Sequence, residues 1–424
     1  MTIPEIHSLF KTCTEACTDT RKISEGSMFF ALKGERFNGN DFALQALANG
    51  ASYAVVDEKL GSDDERLIHV VSVLHCLQDL AKYHREQLNI PFIGITGSNG
   101  KTTSKELIRD VLKNNYAVHA TFGNLNNHIG VPLTLLEVNE NHELAIIEMG
   151  ANHIGEIALL SSISSPDIGL ITNIGKAHIG EFGGFENIIK GKTELYDHLS
   201  LIDGLAFVNG ESEILMEKSL GLRRHIYGQH QESEVVTQIA DSELFLHFKW
   251  NDRLVKTNLI GDYNLSNINA AICLANHFNI PDSEIIDAIE SYDPDNNRSQ
   301  LLQKGTKKII MDAYNANPTS MNAAIENLGA MKAKKKFAIL GHMLELGEDS
   351  SLEHSELIEV TRSKNIPAVF IGSKFTDVET LEDVMVFESL ASARGYIQSI
   401  DLENSLILVK GSRGIELEKV LDFL

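Results

Sequence analysis

The chain has 424 residues, of which 43% are hydrophobic and 23% charged, and its formal net charge is −22. This length exceeds what a single hydrophobic core organises, so we expect two or three domains of ordinary globular composition. The acidic balance argues against a non-specific nucleic-acid binder, and no apolar run approaches the roughly 20 residues that span a bilayer.

The cysteines and the first residues predict the compartment. Cys13, Cys17, Cys76 and Cys273 are too few and too scattered for a disulfide framework or a complete zinc site. The N-terminus, MTIPEIHSLFKT, lacks the basic region, apolar stretch and cleavage site of a signal peptide. We therefore expect a cytoplasmic protein with reduced thiols, without a nucleic-acid partner and without membrane insertion.

Residues 1–87 predict a small α/β domain. An apolar strand at 28–32 runs into a loop rich in Gly and Asn. A helix that ends at Gly50 then precedes a strand at 53–56. A second helix, at 75–88, closes the segment before the break at Asn89-Ile90-Pro91.

Residues 88–293 predict a mostly parallel sheet covered by helices. Short apolar runs that end at or just before Gly or Asn are typical of buried parallel strands, and they lie at 92–96, 145–149, 168–173 and 206–209. Residues 225–260 instead alternate between apolar and polar, with Asn251 and Asp252 between two runs. This alternation predicts a β-hairpin insertion, followed by a helix at 265–278.

Residues 294–424 predict a C-terminal Rossmann-like domain. Its expected strands are 308–312, 337–340, 368–372 and 406–411, and its expected helices are 318–331, 351–364 and 415–423. No Gly-x-Gly-x-x-Gly follows any of these strands, so nicotinamide or flavin binding is not expected. The fold class is therefore α/β with three domains.

A glycine-rich loop carries the strongest chemical signal. The strand at 92–96 ends in Gly97, Ser98, Asn99, Gly100, Lys101, Thr102 and Thr103, and a helix follows at once. Glycines let successive N–H groups face one concavity, and Lys101 can reach the terminal phosphates of a nucleotide. The Thr102 hydroxyl is placed to ligate Mg²⁺. The alternative, a glycine turn before a helix that contains a lysine, fits this strand-loop-helix context less well.

Three residues on later elements are weaker candidates. Glu148 lies at the carboxyl end of a predicted strand, where it is either a structural cap or, beside a phosphate loop, a Mg²⁺ ligand. His178 follows the next strand end, and a lone histidine is more often structural than a ligand. Lys190 and Lys192 lie in a predicted helix, where their pattern alone indicates solvated lysines.

Several stretches match the motifs of one enzyme family. They are DTRKISEGSMFFALKGERFNGNDF, TGSNGKTTSKE, GNLNNHIGVPLT, IIEMGANHIGEI, TNIGKAHIGEFG, MDAYNANPTSM, LGHMLELG and LVKGSRG. On these motifs the chain resembles the Mur ligase family over all three segments. The combination of YNANP, MLELG and KGSRG resembles the branch of the family that adds a dipeptide.

The resemblance implies an activity and a role for each segment. It implies an ATP-dependent, ADP-forming ligase that joins D-alanyl-D-alanine to UDP-N-acetylmuramoyl-tripeptide through an acyl phosphate. This reaction belongs to peptidoglycan precursor synthesis, and so to cell-wall growth, cell shape and cell division. Residues 1–87 would bind the UDP-sugar and 88–293 ATP. Residues 294–424 would bind the incoming dipeptide and part of ATP. We expect a monomer.

The resemblance also implies individual residue roles. Lys101, His178, Lys192 and Arg298 would be catalytic. Two Mg²⁺ ions would be held by Thr102, Glu148, His178 and a carbamylated Lys192. Besides the phosphate loop, ATP would contact Asn267 at adenine, Arg298 at the terminal phosphate and Asp312 at ribose. The residues expected at the two other substrates are Thr20, Arg21, Asn38, Asn126, Asn127, Tyr314, Asn315, Asn317, Lys410 and Arg413. His342 stands where the family commonly has Asp, and we assign it no role.

Three alternatives remain at this level. Within the superfamily, the third-residue-adding ligase usually carries Asp-Asn-Pro-Arg in its last domain. Here the only similar string, residues 295–298, precedes that domain's first strand. A folylpolyglutamate synthetase would not need a UDP-sugar domain, and a non-catalytic nucleotide-dependent scaffold would not need Glu148, His178 and Lys192. Lys101 and Arg298 lie in different segments yet should share one phosphate, so we expect domain closure to assemble the site.

Overall fold

The computed structural model describes residues 1–294, 297–378 and 384–424. Asp295 and Asn296, half of the string compared with the third-residue ligases, lie outside the described residues. Over the described ranges the chain forms three successive α/β units, which confirms the expected fold class. None of the helices within those ranges is both long and apolar enough to cross a membrane.

The N-terminal unit is a parallel four-stranded sheet with the order β1-β2-β5-β6, and a small β3-β4 ribbon lies beside it. Its elements are α1 (Ile3–Phe10), β1 (Ala16–Cys17), β2 (Met28–Phe30), β3 (Lys33–Gly34), β4 (Phe37–Asn38), α2 (Ala43–Ala48), β5 (Tyr53–Val56), β6 (Leu67–His69) and α3 (Val73–Glu86). The predicted strand at 53–56 and both predicted helices are confirmed, with small shifts at their ends.

The central unit is built on a parallel six-stranded sheet. Its elements up to the sheet's last strand are β7 (Phe92–Thr96), α4 (Lys101–Leu112), β8 (Val118–Ala120), α5 (Gly130–Glu137), β9 (Leu144–Glu148), α6 (Glu156–Ser164), β10 (Ile168–Ile171), α7 (Ile179–Phe182), α8 (Phe185–Ile202), β11 (Leu205–Asn209), α9 (Glu213–Lys218) and β12 (Arg223–Tyr227). The strand order is β12-β11-β10-β7-β9-β8. Strand β7 lies between β10 and β9, so the chain connections run to opposite sides of the sheet from this position. Ligands of α/β sheets bind at such a point, beyond the carboxyl ends of the strands, and the loop after β7 lies there.

An antiparallel insertion follows the parallel sheet, as predicted, but it is larger than a hairpin. It comprises β13 (Gln238–Ala240), β14 (His247–Trp250) and β15 (Arg253–Lys256), and α10 (Asn264–His277) and α11 (Asp282–Ser291) come next. Asn251 and Asp252 join β14 to β15 with φ of 48° and 60°, the positive values that a tight two-residue turn requires. The prediction was wrong for 225–227, because these residues end β12 in the parallel sheet.

The C-terminal unit is a six-stranded sheet with the order β16-β17-β21-β18-β19-β20, parallel except for β16. Its elements are β16 (Gln300–Lys304), β17 (Lys307–Asp312), α12 (Pro318–Ala330), β18 (Lys335–Gly341), α13 (Ser350–Ser363), β19 (Ala368–Ile371), α14 (Ser373–Thr376), β20 (Met385–Phe387), α15 (Leu390–Ser399) and β21 (Ser405–Lys410). All four predicted strands are confirmed. The predicted helix at 415–423 is wrong, because Glu416 has a φ of 54° and only 3₁₀ turns flank it.

Apolar side chains continue from one unit into the next. Helix α3 packs on α5 and α6, so that Leu77 and Leu80 share a buried cluster with Val131, Leu135 and Leu160. The strands β7 and β9 are buried at every position, since helices cover both faces of the sheet. This packing fixes the carboxyl ends of the central strands relative to the N-terminal unit.

Buried histidines should make the fold sensitive to mild acid. Burial, with a smaller contribution from His142, lowers the pKa of His119 to about 4. Below about pH 6.5 the unfolded chain binds a proton at His119 and the folded chain does not. Protonation therefore favours the unfolded state, and the free energy of unfolding falls as the pH falls. Relative to a His119→Gln variant, the wild type should lose about 2 kcal/mol of unfolding free energy between pH 7 and pH 5.

Urea titrations of the two proteins at both pH values measure this difference. The variant corrects for the general effect of charge on this acidic chain. An equal change in the two proteins would contradict a depressed pKa at His119.

Candidate active site

The loop after β7 can form only with glycines at two positions. Gly97 has a φ of 139°, and a Cβ there would lie 2.1 Å from Thr172 Oγ1. Gly100 has a φ of 77°, and its Cβ would lie 2.5 Å from Asn267 Oδ1. Helix α4 begins at the next residue, Lys101, so its free N–H groups and its positive dipole end meet the same loop.

Lys101 folds back over this loop. Its Nζ donates to the carbonyls of Gly97 at 2.7 Å and Ser98 at 3.3 Å. Burial lowers the pKa of Lys101; the Glu148 charge opposes the shift and the Arg298 charge adds to it. Arg298, a cation of the C-terminal unit, lines the same cleft as Lys101.

Glu148 joins three parts of the central unit at the end of β9. This carboxylate is 2% exposed, and its Oε2 accepts from Thr102 Oγ1 at 2.9 Å. Its Oε1 accepts from Asn126 Nδ2 at 2.8 Å, and its backbone N–H donates to Thr121 Oγ1 at 2.9 Å. A hydroxyl and a carboxylate this close provide the hard oxygen donors that Mg²⁺ prefers.

His178 meets two carboxylates that the sequence analysis did not single out. Its Nδ1 lies 2.6 Å from Glu345 Oε2 and 3.7 Å from Glu181 Oε2, although the short contact is not aligned as a hydrogen bond. One ligand atom from each of the three residues lies within 4.8 Å of the others, which could hold a metal ion. The LGHMLELG stretch contains Glu345, but its spacing gave no reason to pair it with His178.

Lys192 differs sharply from Lys190 in its surroundings. Lys190 is exposed, whereas Lys192 is 1% exposed and its Nζ donates to the carbonyl of Ala151 at 3.0 Å. Burial lowers the pKa of Lys192 well below its ordinary value, and the nearby charge of Lys101 adds to the effect. The pattern-based interpretation of two solvated lysines is therefore wrong for Lys192.

The C-terminal unit contributes a second polar wall. The Arg298 guanidinium carbon lies 3.7 Å from the centre of the Tyr314 ring. Asp312, at the end of β17, accepts from Lys410 Nζ at 2.6 Å, and Lys410 also donates to the Asn315 carbonyl at 3.3 Å. Lys410 is 3% exposed, and its charge is paired with Asp312 and does not face open solvent.

Direct contacts hold the central and C-terminal units together at this wall. Asn317 Nδ2 donates to Asn99 Oδ1 at 2.7 Å, and Lys176 Nζ lies 2.6 Å from Glu353 Oε1. The Gly180 N–H donates to the carbonyl of Glu345 at 3.0 Å. The phosphate loop thus contacts the C-terminal unit.

Most of the predicted residues line one cleft of about 670 Å³. They are Ser98, Asn99, Gly100, Lys101, Thr102, Thr103, Asn126, Asn127, Glu148, His178, Asn267, Arg298, Asp312, Tyr314, Asn315, Asn317 and Lys410. This set comes from both sides of the boundary between the central and C-terminal units, as the expectation of a shared site requires.

Six predicted residues among those described lie outside this cleft. Gly97 and Lys192 are hydrogen-bonded to residues that line the cleft, Gly97 to Lys101 and Lys192 to Ala151. Arg413 lies 5.9 Å from the centre of the Tyr314 ring. The other three are in the N-terminal unit. Thr20 and Arg21 are on a 3₁₀ turn, and Asn38 donates to Glu58 at 3.1 Å.

Comparisons with known proteins agree with this architecture. The models for the Mur ligase catalytic, middle and glutamate ligase domains match residues 14–85, 95–275 and 297–413. UDP-N-acetylmuramoyl-tripeptide–D-alanyl-D-alanine ligase of Bacillus subtilis is 36% identical over 420 residues, which cover 95% of this chain and 91% of that protein. The Escherichia coli enzyme of that name is 31% identical, over 97% of this chain and 93% of that protein.

Solved structures agree too. MurF from Acinetobacter baumannii superposes with a TM-score of 0.88 at 30% identity, covering 99% of this chain and 98% of the other. MurF ligase from Thermotoga maritima in complex with ADP gives 0.86 at 28% identity, covering 98% and 97%. The chain belongs to the Mur ligase family. Its full-length similarity is to the members named UDP-N-acetylmuramoyl-tripeptide–D-alanyl-D-alanine ligase, which confirms the expectation from the motifs.

A Gly100→Ala substitution tests whether the loop geometry is needed for nucleotide binding. The new Cβ would strain a left-handed residue and clash with Asn267, so we expect about 1–2 kcal/mol of lost stability and at least a tenfold weaker ADP affinity. Calorimetric ADP titration and thermal unfolding measure the two effects.

Gly61→Ala is the matched control, because Gly61 has a φ of 66° with nothing within 4 Å of its Cβ position. It should cost stability without changing ADP affinity. Unaltered ADP affinity in Gly100→Ala would count against a binding role for this loop.

Proposed function

We propose that this cleft joins D-alanyl-D-alanine to UDP-N-acetylmuramoyl-tripeptide, with ATP activating the terminal carboxylate of the tripeptide. The chain is an ATP-dependent, ADP-forming ligase of peptidoglycan synthesis. The observation that carries the proposal is the meeting of Lys101, Glu148 and Arg298 in one cleft, within a chain similar over nearly its full length to ligases of this name.

The chemistry explains why these charges are needed. A carboxylate acylates amines poorly because oxide is a poor leaving group. A carboxylate oxygen attacks the γ-phosphorus of ATP, a new P–O bond forms, the bond to the bridging oxygen breaks, and ADP leaves. The dipeptide amine then attacks the acyl carbon, phosphate leaves with the C–O electron pair, and the nitrogen loses its proton.

The first step brings two anions together, so electrostatic positioning is the main catalytic contribution. Lys101 and the N–H groups of the loop at residues 97–103 would hold the phosphates from the central unit. Arg298 would approach them from the C-terminal unit. Both Lys101 and Arg298 line the cleft, which supports this convergence. Since the cations come from separate units, closure between the units would assemble the site.

Mg²⁺ is typical of this family, and the donors present suit it. Thr102 and Glu148 would hold one ion, and His178 with a carbamylated Lys192 a second. When bound, the ions would neutralise charge that builds up on the transferred phosphoryl group. An ammonium cannot ligate a metal, but burial of Lys192 favours the neutral amine, the form that attacks CO₂ to yield a carbamate with oxygen donors.

The substrates would divide between the units. Residues 1–87 would bind the UDP-sugar through Thr20, Arg21 and Asn38, and 88–293 would bind ATP and, through Asn126 and Asn127, the muramoyl-peptide. Residues 294–424 would contact ATP and the dipeptide. In that unit, Asp312 would bind ribose opposite Asn267 at adenine, while Tyr314, Asn315, Asn317, Lys410 and Arg413 would form the dipeptide pocket.

The position of the dipeptide carboxylate follows from the charges on this wall. Lys410 is paired with Asp312, so it would act by holding Asp312 and Asn315 in place. Arg298 and Arg413 both approach Tyr314, at 3.7 and 5.9 Å from the ring centre, and would supply the attracting charge. A single chain provides all of these groups, so we propose that the monomer is active.

The activity is tested by measuring phosphate release from ATP with Mg²⁺ and UDP-N-acetylmuramoyl-tripeptide, with and without D-alanyl-D-alanine. We expect release only when both substrates are present, together with a pentapeptide product by mass spectrometry. A folded protein that binds ATP but shows no dipeptide-dependent turnover would overturn the assignment and favour another ligase of the superfamily.

The carbamate is tested by Lys192→Ala, for which we expect about a 100-fold lower kcat, since loss of even an outer-shell partner of a metal typically costs about 10–100-fold and a ligand contacts the metal directly. Lys190→Ala, two residues away and exposed, should keep nearly full activity. In the wild type, ¹³C-bicarbonate should produce a carbamate NMR signal that Lys192→Ala lacks. An identical signal in both proteins would exclude Lys192 as the modified residue.

A further inference from the structure

Lys105 is a buried cation for which the mechanism above has no use. It lies one helical turn after Lys101 in α4 and its side chain is fully buried. Its Nζ lies 2.6 Å from the Thr121 carbonyl, 3.1 Å from Glu106 Oε1 and 3.8 Å from Glu148 Oε2. Burying an ammonium costs free energy unless the group is paired with an opposite charge and hydrogen-bonded. Moving any of these partners away from Lys105 would therefore destabilise the fold.

Two of the partners belong to different functional regions. Glu148 is the proposed Mg²⁺ ligand beside the phosphate loop. Thr121 directly follows β8 and begins the segment 121–127, which reaches the cleft at Asn124, Asn126 and Asn127. Lys105 therefore contacts both the metal carboxylate and the start of the segment proposed to face the muramoyl-peptide.

These contacts close a ring of interactions. Thr121 accepts from Lys105 through its carbonyl and from the Glu148 N–H through its hydroxyl. The segment that begins at Thr121 returns to Glu148 through Asn126 Nδ2, which donates to Oε1. The position of the Glu148 carboxylate and the path of 121–127 thus depend on each other. The Lys105 ammonium contacts both, and Glu106, its nearest carboxylate at 3.1 Å, offsets part of its buried charge.

We propose that Lys105 is a positioning residue that aligns the metal-binding carboxylate with the peptide-binding segment. An ammonium has only donors, so Lys105 cannot ligate the ion itself. It holds Glu148 by charge and residues 121–127 through Thr121, so that Mg²⁺-ATP and the tripeptide carboxylate meet in one geometry. This inference rests on the proposed function, specifically on the roles given to Glu148 and Asn126.

A Lys105→Met variant removes the charge and the donor while keeping a similar length and apolar stem. We expect the Mg²⁺ concentration for half-maximal activity and the KM for UDP-N-acetylmuramoyl-tripeptide both to rise at least fivefold. The KM for D-alanyl-D-alanine and the ADP affinity without metal should stay within twofold of the wild type. A purely structural role would lower kcat or stability without selecting these two ligands.

Lys105→Gln separates the two contacts, because an amide can donate to Thr121 but carries no charge. It should show the metal defect with a smaller rise in the tripeptide KM. Lys113→Met is the matched control at the end of the same helix, where Lys113 is half exposed and paired with Asp110. It should behave like the wild type.

The outcomes are distinguishable. A folded Lys105→Met protein with unchanged Mg²⁺ and tripeptide dependence would overturn the positioning role. If Lys105→Met does not fold, the Lys105→Gln protein tests the role instead. An unchanged Mg²⁺ requirement in Lys105→Gln would also overturn the positioning role. Failure of the wild type to turn over with both substrates would instead refute the proposed function.

Discussion

The buried carboxylate of Glu148 is the constraint on which the candidate site depends. It lies at the carboxyl end of β9, is 2% exposed, and accepts hydrogen bonds from Thr102 and Asn126. A charge so placed must be compensated, and the compensating groups come from the phosphate loop, from helix α4 and from the segment after β8. The hydrogen bonds to this one carboxylate therefore bring the loop proposed to bind nucleotide and the segment proposed to face the peptide to a common point.

The boundary between the central and C-terminal units brings further polar residues to the candidate site. Asn99 with Asn317, and Lys176 with Glu353, hold the units in contact, and Arg298 reaches the same cleft as Lys101. The contact of His178 with Glu345 also crosses this boundary. Because Glu345 contacts Nδ1, the other ring nitrogen of His178, Nε2, would stay available to a metal ion while the carboxylate orients the ring.

Local patterns predicted much of this molecule because the relevant forces act over a few residues. Strands buried on both faces need continuous apolar runs, and the run at 92–96 became β7 without change. Asn251 and Asp252 correctly predicted the turn between two strands, since asparagine and aspartate tolerate the positive φ that such a turn requires. One error arose where a distant contact decides, because residues 225–227 joined the parallel sheet by pairing with β11. The other is local, since the left-handed backbone at Glu416, with a φ of 54°, interrupts 415–423.

The sequence by itself determined the α/β class, the phosphate loop and, through its motifs, the family, because each of these depends on residue type at fixed local spacing. Only the tertiary structure decided which lysine of the pair at 190 and 192 is buried, that Lys410 is neutralised by Asp312, and that Glu345 meets His178. Burial and charge pairing depend on side chains that approach from remote parts of the chain, and no local pattern records that approach.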